Sequence, residues 1–127
     1  MKNVDRWFIL IGLLYGIFGM SFGIWMGIHE RMDLAPMHAH ANLVGFAAMV
    51  LFGLIYRGFP AMAASRLAGW HFIIYMLGAI LFIAGLPLAV AHQTIALAVI
   101  GSLMVLLGFL VFLANYLMNA FSAKAGA

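Results

Sequence analysis

At 127 residues, 68% hydrophobic and only 7% charged, this chain is too poor in charge for a water-facing surface, since soluble domains carry about 25% charged residues. A net charge of +3, from six basic residues scattered between apolar runs, reads as a topology signal and not as a nucleic-acid footprint. With no cysteine, a disulfide framework, a cysteine-ligated zinc site, an iron–sulfur cluster and covalent haem attachment are all excluded, so any metal must rely on His, Met or oxygen ligands.

Four apolar runs follow one another at about 7–28, 37–56, 67–90 and 94–118, within a single domain, 1–127. Each is near or above the ~20 residues that span ~30 Å of hydrocarbon. Backbone hydrogen bonding in lipid requires helices, and alternating polar positions that would mark barrel strands are missing. The first run is too long for a signal-peptide core and lacks an Ala-x-Ala site before the second, so it reads as a retained spanning helix. Its glycines, Gly12, Gly16, Gly19 and Gly23, point to close helix approach, as do Gly101 and Gly108 in the fourth run. Pro36 suits the first turn of the second helix. Pro87 falls late in the third and is expected to kink it.

The connections are short: 29–36, 57–66 and the tight turn at Ala91-His92-Gln93. Short connections predict an all-α, up-down-up-down four-helix membrane bundle. Lys2, Arg6, Arg57, Arg66 and Lys124 fall on one side and Arg31 alone on the other. The expected orientation therefore has both termini in the cytoplasm, in a bacterial inner membrane. His29, His38, His40 and His92 then gather near the outer face, with His71 near the inner one.

The segment Pro36-Met37-His38-Ala39-His40-Ala41-Asn42-Leu43-Val44-Gly45-Phe46 opens the second run with two histidines. Ionisable side chains at membrane depth are rare and usually functional. On a helix, residues two apart point ~200° apart, so His38 and His40 cannot clamp one metal as an i, i+4 pair does. They are expected to serve two sites, one on each flank. His38 shares its side with Asn42, Gly45 and Met49, and His40 with Leu43, Val44, Ala47 and Leu51. Small and apolar neighbours suit a flat macrocycle, with Asn42 supplying polarity behind the ligand. His29, beside Glu30, reads as an interfacial residue. His71, beside Trp70, reads as part of an aromatic belt. His92 remains a third candidate, as ligand or propionate partner. The ten methionines show no Met-x-x-Met cluster and are assigned to packing or lipid contact, not to copper.

His38-Ala39-His40-Ala41-Asn42-Leu43-Val44-Gly45-Phe46, continuing through Leu51-Phe52-Gly53-Leu54-Ile55-Tyr56-Arg57, resembles a haem-binding helix of the haem-copper oxidase superfamily catalytic subunit. The likeness is closest to nitric oxide reductase-like and small cytochrome oxidase subunit I-like bacterial membrane proteins. The resemblance implies that one histidine of the pair ligates a low-spin haem and the other a high-spin haem. The large members have twelve spanning helices in three groups of four. This chain has four, with no second histidine set for copper and no His-Pro-Glu motif, so oxygen or nitric oxide reduction by the chain alone is not expected. Three copies would supply twelve helices, and a closed head-to-tail ring permits each haem to take His38 from one protomer and His40 from the next.

The expectation is thus a b-type haem protein, His38 and His40 as metal ligands, with Asn42, Gly45 and His92 around the cofactor. Its role would be electron transfer, its partners lipid, further copies of itself, and a quinone or respiratory donor. The alternative is a cofactor-free accessory or assembly protein of a respiratory oxidase.

Overall fold

The computed structural model describes residues 1–121. Lys124, one of the basic residues counted above, lies outside them. The described residues form helices and turns, with no strand among them. The elements are α1 (Val4–Ile28), α2 (Met32–Gly58), the short α3 (Pro60–Ala64), α4 (Arg66–Val90) and α5 (Ala96–Asn119). All but α3 are long and apolar enough to cross a membrane, making this an all-α, multi-pass membrane protein.

The helix ends explain where each run stops. The α1 end is closed by amides of Glu30 and Arg31 bonding back to the carbonyls of Gly27 and Met26, with Glu30 left-handed at φ 55°. The α4 end repeats this: His92, also at φ 55°, and Gln93 bond back to Ala89 and Leu88. Both are Schellman closures, which favour glycine at the left-handed residue. The Ser65 hydroxyl accepts from the Leu67 amide at 3.2 Å and starts α4. The Thr94 hydroxyl accepts from the Ala96 amide at 3.1 Å, so the last helix begins two residues later than its apolar run. Pro87 lies in the last turn of α4, which runs on through it to Val90.

Helix α2 is not uniform. A 3-10 turn at Met32–Leu34 leads into an α-helical start at Ala35–His40. A π-helical stretch at Ala41–Ala47 follows, and regular helix resumes at Ala48–Gly58. The wider π turn re-aims the residues after the histidine pair and leaves carbonyls poorly matched. One of them, Val44 O, accepts the Tyr75 hydroxyl of α4 at 3.0 Å. Such insertions are frequently found at functional sites.

Glycine sets the helix spacing. The stripe Gly12, Gly16, Gly19 and Gly23 on α1 lies directly against Val50, Phe46, Asn42 and His38 of α2. Gly101 of α5 meets the backbone of Phe82 in α4, and Gly85 of α4 meets Ala98 of α5, so those backbones touch with no room for a side chain. Close approach matters because lipid is as apolar as the core, and packing replaces the hydrophobic effect as the glue. Phe8, Phe52, Tyr56, Phe72 and Tyr75 from α1, α2 and α4 form the aromatic centre.

Candidate functional site

The proline at position 36 and the carbonyls of its turn hold the second imidazole of the pair. His40 Nδ1 lies 2.7 Å from Pro36 O, one turn earlier, and its ring meets Phe82 of α4 edge-on at 4.8 Å. His38 turns the other way. Its Nδ1 lies 2.9 Å from Gly19 O on α1, and its ring rests on Gly23, where an added Cβ would come within 2.6 Å of Cε1. The two imidazoles therefore lean on different neighbours, α1 for His38 and α4 for His40.

A carbonyl oxygen can only accept, so each Nδ1 carries a proton, and in the neutral imidazole each Nε2 keeps its lone pair. Neither Nε2 has a hydrogen-bond partner among the described residues, and neither is fully buried. Asn42 fixes the His38 turn: its Nδ2 donates to His38 O at 2.9 Å and sits 3.4 Å from His38 Nδ1, with the amide pressed against Gly19. Gly45 is buried against the Tyr15 ring and is taken up by packing within one copy. His92 is exposed in its turn, where its backbone closes α4. His29 is exposed too, stacked on Trp25 at 4.7 Å with Nδ1 2.9 Å from Trp25 O. Among the described residues no three His, Asp or Glu side chains come together.

His71 departs from expectation. It is not an interfacial belt residue beside Trp70: its exposure is 0%, whereas Trp70 is 61% exposed. Consecutive helix positions point ~100° apart, so a lipid-facing Trp70 turns His71 inward. Its ring is surrounded by Phe8, Phe52, Tyr56, Tyr75 and Phe112, with centroids 4.6 to 5.8 Å away. A polar chain reaches it. Asn119 Nδ2 donates to Asn115 Oδ1 at 2.8 Å, and Asn115 Nδ2 donates to the Tyr56 hydroxyl at 3.3 Å and to Met62 O at 3.1 Å. The Tyr56 hydroxyl lies 3.0 Å from His71 Nδ1. Asn115 meets that hydroxyl with an N–H, so Nδ1 is the acceptor in reach of the Tyr56 proton, and donation to Nδ1 leaves the fewest groups unmatched. His71 Nε2 then carries the ring proton, and it is buried with no partner. Sequence reading passed over Tyr56, Asn115 and this burial. The available signal was the rarity of polar side chains inside the apolar runs.

Comparison with family models, with characterised proteins and with solved structures gives no match for this chain.

Proposed function

We propose that this chain is a membrane-embedded b-type haem protein, with His38 and His40 as axial ligands and electron transfer as its role. One observation carries the reading: each imidazole has Nδ1 tied to a backbone carbonyl and Nε2 left without a partner among the described residues. Ligating histidines are held in this way, because the bond at the second nitrogen fixes tautomer and orientation and raises ligand basicity. Neutral imidazole suits iron, and the absence of cysteine matches a non-covalently held haem.

Haem, when bound, supplies one-electron chemistry at the iron. The chain's own residues do the positioning. Gly19 O and Pro36 O hold the two rings, and Asn42 staples the turn that carries the first. The rings lean on α1 and α4 respectively, so one copy offers each iron a single imidazole. A second copy supplies the other, and repetition of that head-to-tail contact closes into a cyclic trimer. Two imidazoles on one iron would leave it suited to electron transfer and not to gas chemistry. The excess of basic residues on one side supports an orientation with both termini in the cytoplasm, in a bacterial inner membrane.

The test is the reduced-minus-oxidised spectrum of the detergent-purified protein, prepared with haem supplied. A Soret band lost in both His38→Ala and His40→Ala supports the reading. A colourless, stable protein overturns it and favours a cofactor-free accessory role.

A further inference from the structure

The end of the bundle where α1 and α4 begin and α2 stops is basic. Among the described residues, Lys2, Arg6, Arg57 and Arg66 sit there against one carboxylate, Asp5. Asp5 is taken up by Arg57 at 3.2 Å, and Arg6 and Arg66 have no acidic partner among the described residues. Each of these two exposed arginines heads a shallow groove on the outside of the bundle. One, of about 260 Å³, is lined by Arg66, Gly69, Trp70 and Ile73 of α4 and by Met1, which lies over Gly69. The other, of about 200 Å³, is lined by Asn3, Arg6, Trp7 and Leu10. Both sets share the i, i+3, i+4, i+7 spacing of a single helix face. In both, an arginine and a tryptophan stand at the helix start, and an aliphatic residue lies about 6 to 10 Å further along than the arginine.

We propose that each groove binds one anionic phospholipid, with its phosphodiester on the arginine, its glycerol region against the indole, and an acyl chain over Ile73 or Leu10. Three features select this occupant. A guanidinium with no carboxylate partner matches a phosphate, with two parallel N–H donors; a zwitterionic lipid brings its own ammonium, which offsets that attraction. Polarity falls along each groove in the order of a lipid: cation at the end, indole at headgroup level, aliphatic floor beyond. A nucleic acid or an acidic peptide would answer the charge and leave that floor bare. Trp7, Leu10, Trp70 and Ile73 are all exposed on the flank of the bundle, so the groove is open sideways to the bilayer. The sites are separate from the histidine pair, which packs against Gly19 and Gly23 toward the other end of α1.

The experiment uses the full chain in phosphatidylcholine nanodiscs, doped with phosphatidylglycerol or phosphatidylcholine whose chains are brominated near the glycerol. Quenching is read one tryptophan at a time, the other two being changed to Phe. Trp7 and Trp70 report the two grooves, and Trp25, near the other end of α1, reports lipid at large. Brominated phosphatidylglycerol should quench Trp7 and Trp70 at about fivefold lower mole fraction than brominated phosphatidylcholine, the preference expected of one basic residue at an anionic headgroup. Trp25 should show no preference. Arg66→Gln should remove the preference at Trp70 and keep it at Trp7, and Arg6→Gln should do the reverse, so either variant decides the matter should the other fail to fold. Inorganic phosphate in the water should leave the quenching unchanged. Equal quenching by the two lipids at both grooves, or a preference lost at both from either variant, would show only a diffuse surface field and overturn the proposal. Relief of quenching by inorganic phosphate would make the arginines a site for dissolved anions and overturn it too. Because the two lipids are compared in the same protein, bound haem cancels, and failure here and failure of the haem reading are separable.

Discussion

Adding one methyl group at Gly23 tests how His38 is held. An alanine Cβ there would lie 2.6 Å from His38 Cε1 and 2.9 Å from Nδ1, well inside van der Waals contact. The ring has to move by about 1 Å to restore ordinary separation. That movement breaks the 2.9 Å bond to Gly19 O. Overpacking costs about 1–3 kcal/mol and the lost hydrogen bond about 0.5–1.5 kcal/mol, offset by about 1 kcal/mol of helix propensity. The expected net loss is about 2 kcal/mol. Gly27→Ala is the internal control, because nothing lies within 4 Å of its added Cβ. It makes the same substitution on the same helix and should be neutral or slightly stabilising. Both are read by reversible unfolding in mixed micelles, and in haem-loaded protein by the shape of the Soret band. If Gly23→Ala matches Gly27→Ala in stability and spectrum, the contact between His38 and α1 is not what orients the imidazole.

Other substitutions probe separate parts of the account. Tyr56→Phe removes the hydroxyl between Asn115 and His71 and leaves two buried groups short of a partner, so it should destabilise the protein by about 1–3 kcal/mol in the same unfolding assay. Tyr75→Phe frees Val44 O in the π-helical stretch; it should cost about 1 kcal/mol and speed amide hydrogen exchange between residues 44 and 48 relative to the rest of α2. His92→Gly relieves the left-handed backbone at φ 55° and should stabilise by about 1 kcal/mol, with the haem spectrum unchanged; a lost Soret band would make His92 a ligand.

The four helices were legible because composition decides them directly. Long apolar runs without charge have few soluble alternatives, and lipid leaves the backbone only helical pairing. The opposite leaning of His38 and His40 was legible as well, since it follows from helical geometry over two residues. What each helix face touches was not. In a soluble helix the polar stripe reveals the buried side, but in α4 nearly every residue is apolar, so lipid-facing and core-facing sides read alike. His71 was placed by its neighbour Trp70, and sequence adjacency misled because the helix turns between them. The π-helical stretch left no mark that composition or periodicity could expose. It accompanies the fitting of Asn42 and Phe46 against the glycine stripe of α1 and of Gly45 against Tyr15, while Val44 meets Tyr75, a tertiary condition.

The central claim is that each imidazole of the pair grips iron across a boundary between copies. The most direct measurement is the haem-to-protein ratio and the mass of the same detergent-solubilised peak, in wild type, His38→Ala and His40→Ala. The account predicts one haem per chain in a trimer, with either variant losing the colour. A haem held by a monomer would contradict the sharing, and apoprotein that stays colourless in excess haem would contradict the ligation itself.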